Sequence, residues 1–195
     1  KKYFYQKQNY YNMKNKEYEL RILENEMTDI ESPREYDCNV GTIISVAPNH
    51  IWGDVQIYSK LGFNKALIEH NKAEINLPIY AYVHSGMTIQ TTPFSCRWDS
   101  FFAGCIVLNR KQFLENMGYK RMTAKRREEA LKQLQSEIDV YDQYIRGEIY
   151  GYEIFEKDSN GNASGFAVEA RYGYYSEECC KTDGENELKR LMEKK

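Results

Sequence analysis

The stretch TAKRREEALKQLQSEIDVYDQYIRG, residues 123–147, is the clearest structural signal in this chain. Its apolar residues recur at intervals of three and four, which is the spacing of one face of an α-helix. Thr123 is a residue type that caps helix N-termini, and Gly147 is the type that ends helices. We therefore expect one long helix over about 123–146. Its buried stripe is expected to contain Leu131, Leu134, Ile138, Tyr141 and Ile145.

Most of the other patterned segments have the alternation or the continuous apolar run of β-strands. The predicted strands cover residues 18–22, 41–47, 75–84, 87–92, 101–108, 148–156 and 163–170. The run FFAGCIVL (101–108) predicts the most buried strand. Two hairpins are expected, one turning at Ser85-Gly86, where glycine allows a positive φ, and one at Asn160-Gly161.

Because the strands join in hairpins and do not alternate regularly with helices, an α+β fold is favoured over a doubly wound fold. We expect a mainly antiparallel sheet packed against the long helix and two or three short helices, at about 61–73, 111–117 and 185–194. A length of 195 residues suits a single core. We predict a flexible N-terminal arm over residues 1–16 and one domain over residues 17–195.

Targeting signals and a cysteine framework are missing from the sequence. No stretch has the roughly 18 apolar residues of a membrane helix, and the first residues lack the apolar segment of a signal peptide. The five cysteines are irregularly spaced, and no two of them form a CxxC motif, which argues against disulfides and against a zinc site. We expect a cytoplasmic protein with reduced thiols.

Motifs of the common catalytic and cofactor sites are also missing. The chain has no GxxxxGK[ST] loop, no GxSxG and no HExxH. His50, His70 and His84 stand apart from one another, whereas a metal site needs several converging ligands. We therefore expect no catalytic residues, no cofactor and no metal, and a protein that works by binding.

One enzymatic alternative stays open at this point. His84, Cys96 and Asp99 are close enough in sequence to form a cluster, or a Cys96–His84 nucleophile pair, in a folded loop. The favoured interpretation is that His84 caps the hairpin and Cys96 is a small buried hydrophobe.

For Asp142 on the long helix, the favoured interpretation is a structural ion pair with Arg97 or Arg146.

The net charge of −2 hides a segregation of charge along the chain. Residues 17–37 are mostly acidic, and the candidate partner-binding acidic residues are Glu24, Glu26, Asp29 and Glu31. A basic run follows, whose candidate nucleic-acid-binding residues are Arg110, Lys111, Lys120, Arg121, Lys125, Arg126 and Arg127. This run can neutralise phosphates, and the Tyr119 ring could stack on a base, although a solvated helix start explains it equally well.

Four segments of the chain resemble a family of small accessory proteins that are encoded by phages, plasmids and integrated elements of low-GC Gram-positive bacteria. These segments are ESPREYD (31–37), LPIYAYVHSG (77–86), TTPFSCRWDS (91–100) and VYDQYIRGEIYGY (140–152). The family-motif residues among them are His84, Thr91, Thr92, Trp98, Asp99, Tyr141 and Asp142. The chain departs from the family after Ser100, where relatives continue with Gly-Gln-Val-Gly, and again beyond Phe166.

The resemblance implies a mobile-element protein of the bacterial host cytoplasm, and anti-CRISPR activity against Cas9 of type II systems is among the functions that it implies. We expect stoichiometric inhibition of Cas9 or another CRISPR effector, with an acidic surface meeting the basic channels of that enzyme. The alternative is a DNA-binding accessory protein with no effector target. Trp98 and the Thr91-Thr92-Pro93 turn are expected to serve core packing and turn chemistry.

Overall fold

The computed structural model describes residues 12–14, 17–24, 30–46, 52–59, 62–64, 66, 75–163 and 165–193. The chain divides into two compact units, one made of Lys1–Ile30 with Gly147–Lys195 and the other of Glu31–Arg146. Both contain a sheet that is mainly or wholly antiparallel together with helices, which confirms the α+β class. The single domain over residues 17–195 stays a prediction.

Nine strands and three α-helices carry the labels used below. The strands are β1 Asn12–Lys14, β2 Tyr18–Glu24, β3 Gly41–Ser45, β4 Val55–Gln56, β5 Asn76–Val83, β6 Met87–Gln90, β7 Ser100–Leu108, β8 Tyr150–Glu156 and β9 Glu169–Tyr174. The helices are α1 Arg110–Asn116, α2 Ala124–Arg146 and α3 Glu177–Glu193, with a 3-10 turn at Pro33–Glu35. Residues 62–64 and 66 are helical, and the rest of the helix predicted at 61–73 lies outside the described residues.

The unit of residues 31–146 is built on a five-stranded sheet in the order β4-β3-β7-β5-β6. β7 is the central strand of this sheet, and its residues from Ala103 to Leu108 are all buried, whereas Phe101 and Phe102 near its start are exposed. The strand predicted to be the most buried is therefore buried over part of its length. Helix α2 packs on one face, where Leu134 and Ile138 meet Ile79 and Ile106 in the core. The opposite face is partly covered by a smaller apolar cluster.

Helix α2 has the ends that its sequence predicts. The Thr123 hydroxyl accepts a hydrogen bond from the Arg126 amide at 3.4 Å, and Gly147 follows the helix with φ of 71°. Within the predicted stripe Leu134, Ile138 and Tyr141 are buried, and the other two residues are partly buried. The prediction missed Glu137, a charged side chain that is buried on the same face.

The free edge of the sheet at β6 is closed by α2. The Asp142 carboxylate accepts hydrogen bonds from the Ile89 amide and the Thr88 hydroxyl, both at 2.7 Å, and pairs with Arg146 Nε at 2.9 Å. Of the two partners considered for Asp142, the structure therefore selects Arg146. Because edge amides invite pairing with other chains, this contact also protects the edge from aggregation.

The β5–β6 hairpin turns at Ser85-Gly86, as predicted, but the positive φ falls on Ser85 at 61°. The expectation that glycine would take this conformation is wrong. The Ser85 hydroxyl donates a 2.5 Å hydrogen bond to the His84 carbonyl, which supports the serine backbone locally.

The other unit contains a four-stranded antiparallel sheet in the order β1-β2-β8-β9, with α3 packed on it. Its core joins Leu20 and Ile22 of β2, Tyr152 of β8, and Cys180 and Leu188 of α3. Part of the predicted N-terminal arm is thus a strand, since Asn12–Lys14 pairs with β2, while residues 1–11, 15 and 16 lie outside the described residues.

Two predicted boundaries in this unit are wrong. The strand expected at 163–170 is observed as β9 at Glu169–Tyr174. The reason lies in the turn before it, where the Asp158 carboxylate accepts hydrogen bonds from the amides of Asn160 and Asn162. This tight turn leaves one bridge, to Ala163, in place of the expected strand. The helix expected at 185–194 begins at Glu177. Gly184 lies inside this helix, at a position where a Cβ would come within 3.0 Å of Leu20 Cδ1, so the close packing requires glycine.

None of the helices in the described part of the chain has the length and apolarity to cross a membrane.

Candidate partner-binding surface

Aromatic rings project from the central strands of the five-stranded sheet, on the face away from α2. Ile79 and Ala81 belong to the core under α2, so Tyr80 between them points to the opposite face. Tyr80 is paired with Phe102 of β7, and their ring centroids lie 5.9 Å apart at an angle of 80°. Phe63 meets Phe102 in the same edge-to-face manner at 5.7 Å. These contacts hold the Phe102 ring from two sides.

The loop between β6 and β7 forms the wall of a groove beside these rings. Phe94 of the loop packs against Tyr82 with ring centroids 5.7 Å apart. The space enclosed has a volume of about 500 Å³. We call this space the aromatic groove, and its main lining residues are Tyr80, Pro93, Phe94, Arg97, Phe101 and Phe102.

Trp98 is the most exposed aromatic residue next to the groove. It follows Arg97 in the loop and is 95% exposed, and Phe102 is 45% exposed. The expectation that Trp98 serves core packing is therefore wrong. Large exposed apolar side chains that lie together on a folded surface commonly mark a binding site.

Sequence reasoning also missed Phe101 and Phe102 as surface residues. The run FFAGCIVL predicts the most buried strand, whereas burial in the structure begins only at Ala103. The strand pairing shifts register between Ile79 and Tyr80, which is typical of a β-bulge. A usable signal was present, since Phe101 and Phe102 are bulky aromatics at the start of the run and Trp98 lies just before them, where the loop enters the strand.

The structure brings His84, Cys96 and Asp99 together at one end of this surface. His84 Nδ1 lies 3.5 Å from Asp99 Oδ2, and the Cys96 thiol is directed at the same oxygen at 3.8 Å. Cys96 is half-buried, not fully buried as expected, and the His84 side chain is 70% exposed.

This arrangement differs from that of a Cys–His nucleophile pair, in which the imidazole is the hydrogen-bond partner of the sulfur. Here the Asp99 carboxylate occupies that position beside Cys96. Among the described residues there is also no group of three or more histidine, cysteine or acidic side chains that could hold a metal ion. The sequence favours His84 as a residue that caps the hairpin by hydrogen bonding. It does so through its backbone, since the His84 amide donates a hydrogen bond to the Gly86 carbonyl at 3.0 Å.

The other family-motif residues support the scaffold. Thr91 hydrogen bonds to Gln135 of α2, and the Thr92 carbonyl accepts from the Gln90 side chain at 2.9 Å. The Tyr141 hydroxyl accepts the Gly53 amide at 2.9 Å, and burial raises the pKa of this phenol. With the edge contact of Asp142, the Thr91 and Thr92 contacts hold β6 and the start of the β6–β7 loop, whereas Tyr141 ties α2 to the chain before β4.

The predicted basic run falls on α1, on the connection to α2 and on the first turn of α2. The Arg126 guanidinium lies 4.1 Å from the Tyr119 ring centroid and donates to the Arg121 carbonyl at 2.6 Å. The Tyr119 hydroxyl donates to Glu129 at 2.8 Å, a hydrogen bond that raises the pKa of the phenol. Tyr119 therefore stacks on Arg126 here, whereas the sequence suggested that it could stack on a base. On α1, Lys111 lies 3.8 Å from Glu115.

We call Lys120, Arg121, Lys125 and Arg126 the basic cluster. Lys120, Arg121 and Lys125 are exposed, as are Arg110, Lys111 and Arg127 of the same run. Positive charges in the first turn of α2 oppose its macrodipole, so they are an unfavourable choice for helix stability alone. The cluster could neutralise several phosphates.

Two of the four predicted acidic residues, Glu24 and Glu31, are among the described residues. Glu24 is the last residue of β2 in one unit, and Glu31 is exposed at the start of the other. Glu26 and Asp29 lie outside the described residues. The acidic surface stays a prediction.

A second groove, of about 450 Å³, lies along α3 in the unit of β2 and β8. Its wall includes Tyr174, Cys179 and Asp183. Tyr174 donates to Asp183, which also pairs with Arg171 at 2.9 Å. Two polar groups of this groove, those of Tyr174 and Asp183, are thus engaged with each other.

Comparison of the chain with protein-family models, with curated proteins and with solved structures finds no match in any of the three. The resemblance to the mobile-element family stays a prediction.

Proposed function

We propose that this protein works by stoichiometric binding to a partner, and that the partner is a CRISPR effector nuclease such as Cas9 in a bacterial host cell. The observation that supports a binding function is the exposure of Trp98, which directly follows Arg97 of the aromatic groove in the sequence. The choice of partner is supported by the resemblance of residues 31–37, 77–86, 91–100 and 140–152 to the mobile-element family.

The chemistry of the groove suits a protein interface. Trp, Tyr, Phe and Arg are the residue types enriched at the energetic centres of such interfaces. The groove provides all of these except Trp, and Trp98 follows its Arg97. Because Tyr80 and Phe102 stand on central strands and are held by ring contacts, binding would require little ordering of these side chains.

The test is a titration of the purified protein into a Cas9–guide RNA cleavage reaction. We expect cleavage to be lost with an endpoint near equimolar inhibitor, because a binding protein cannot turn over. Inhibition at strongly substoichiometric protein that disappears in Cys96→Ala would instead indicate catalysis. Saturating protein without any loss of cleavage would refute the choice of Cas9.

A matched pair of variants tests the surface. Trp98→Ala removes a 95% exposed ring beside the groove, and Phe166→Ala removes a 96% exposed ring in the other unit. Neither change disturbs a core, so both variants should fold. We expect Trp98→Ala to weaken inhibition at least about tenfold, as interface hot spots do, and Phe166→Ala to have no effect.

The second candidate function is that of a DNA-binding accessory protein with no effector target, and the basic cluster favours it. The experiment is a gel shift with duplex DNA at two salt concentrations. Binding should weaken steeply as salt rises, and Lys125→Glu should reduce both the affinity and its salt dependence. Absent or salt-insensitive binding would eliminate this candidate.

A further inference from the structure

We propose that the aromatic groove binds an extended protein segment in which an apolar side chain stands next to an acidic one, the acidic group pairing with Arg97. This inference rests on the proposed function to the extent that the partner is a protein, and it names what that partner must present. It does not require that the partner be Cas9.

The shape of the groove favours a chain segment. Its volume of about 500 Å³ is within the range of ligand pockets, about 300 to 1,000 Å³, but it is an open groove. Tyr80, Phe94, Phe101 and Phe102 supply apolar and aromatic walls against which an apolar side chain can be buried. Because α2 already occupies the β6 edge through Asp142, a partner at this end of the sheet must bind through side chains and not as an added strand.

The charge of the groove favours an acidic group beside that apolar side chain. Arg97 is the charged residue of the lining, and it is exposed. Within the described part of the chain Arg97 has no hydrogen bond or ion pair, while the adjacent Asp99 is engaged by His84 and Cys96. An exposed arginine in the wall of a groove lined by rings, with no carboxylate partner among the described residues, is well suited to a bidentate pair with Asp or Glu of a partner.

The same features argue against single-stranded nucleic acid as the occupant. Surfaces that bind single strands combine rings with several cations that follow the phosphate backbone. The lining contains Arg97 as its cation, whereas the basic cluster lies on the α1–α2 connection and the start of α2. The Tyr80 and Phe102 rings are also engaged with each other edge to face, which reduces the ring surface open to a base.

The experiment selects binders from a random peptide library displayed on phage, using the immobilised full chain as bait. We expect enriched peptides to carry Asp or Glu next to an aromatic or aliphatic residue. Arg97→Glu reverses the charge of an exposed residue, so it should fold, and it should change the selected charge from acidic to basic. Phe102→Ser should abolish the enrichment, and Phe166→Ser in the other unit should leave it unchanged.

The affinity of the selected peptides is then measured by fluorescence anisotropy. We expect Arg97→Glu to weaken binding by about tenfold or more, because it replaces a charge-assisted hydrogen bond by repulsion between like charges. A labelled oligo(dT) strand is titrated in parallel. If the strand binds and loses binding in Phe102→Ser, the occupant is nucleic acid and the inference is wrong.

The remaining outcomes are equally decisive. Enrichment of peptides without acidic residues, or equal enrichment on wild type and on Phe102→Ser, overturns the inference. If Cas9 is inhibited equally well by wild type, Arg97→Glu and Phe102→Ser, the groove is not the binding site although the proposed function holds. If Cas9 is unaffected and the library result is as expected, the proposed partner is wrong and the groove assignment stands.

Discussion

Replacing the buried Glu137 should strongly destabilise the unit of residues 31–146. The Glu137 side chain is 4% exposed, and its carboxylate accepts the Val40 amide at 2.6 Å, the Gly41 amide at 3.2 Å and Arg34 Nη1 at 2.9 Å. Leucine at this position would leave those amides without an acceptor and remove a partner of Arg34, whose side chain is 7% exposed. The contact joins α2 to the chain segment before β3.

The size of the effect follows from the contacts that remain. Breaking a buried ion pair costs about 3 to 5 kcal/mol, since an uncompensated charge stays behind. Arg34 keeps Asp54 at 2.8 Å and the Gly41 carbonyl at 2.7 Å, which limits the cost on its side. We expect Glu137→Leu to lower the free energy of unfolding by about 4 kcal/mol, and Glu137→Gln, which keeps one carbonyl oxygen, by about 2 kcal/mol.

The assay is equilibrium unfolding in urea followed by circular dichroism, with Glu128→Gln as the control. Glu128 is exposed on the same helix, so its substitution should change the free energy of unfolding by no more than about 0.5 kcal/mol. The double variant Glu137→Leu with Arg34→Met should cost less than the sum of the single changes, because removing both charges relieves the unpaired one. A loss below about 1 kcal/mol in Glu137→Leu, or strict additivity, would refute this account of the contact.

Three further predictions concern β7 and the cysteines. Gly104→Ala should lower the free energy of unfolding by several kcal/mol, or prevent folding, because the φ of Gly104 is 148° and the new Cβ would overlap the Ile44 carbonyl oxygen. The control is Gly118→Ala, whose new Cβ has no atom within 4 Å and which should cost only about 1 kcal/mol. A thiol reagent at neutral pH should modify Cys38 and Cys179 rapidly, whereas Cys105 and Cys180 should react only on unfolding, since they are buried and burial raises their pKa values to about 11 and about 12. Stability should fall as pH rises from about 9, where the unfolded Cys105 thiol ionises, to about 11, where the folded one does, because only the folded state keeps the proton in that window. The contribution of Cys105 to this fall is at most about 3 kcal/mol, and an alkaline unfolding series on Cys105→Val that falls as steeply as wild type would contradict it.

Much of the fold could be predicted because local sequence patterns determine its helices and strands. The ends of α2 depend on Thr123 and Gly147, which act on neighbouring backbone groups. The strands β2, β3, β5 and β7 follow alternation or apolar runs, and their predicted positions agree with the structure within a few residues. The predicted start of the last helix at residue 185 was wrong, since Gly184 lies inside α3 and its lack of a side chain provides space for Leu20 and Tyr152.

The candidate site was predictable only in part. The sequence pointed to His84, Trp98 and Asp99 through the family resemblance, and to the basic run through charge. It did not point to Phe94, Arg97 or Phe102 as parts of one groove, because their proximity depends on the path of the β6–β7 loop beside the sheet.

By itself, the sequence determined the α+β class, the long amphipathic helix, the apolar strand over residues 101–108 and the hairpins, since hydrophobic periodicity and capping act over a few residues. Only the tertiary structure decided which end of that strand is exposed, that Glu137 is buried against Arg34, and that Trp98, next to Arg97 of the groove in sequence, stands in solvent. Burial depends on what packs above a residue from distant parts of the chain, and one-dimensional patterns do not contain that information.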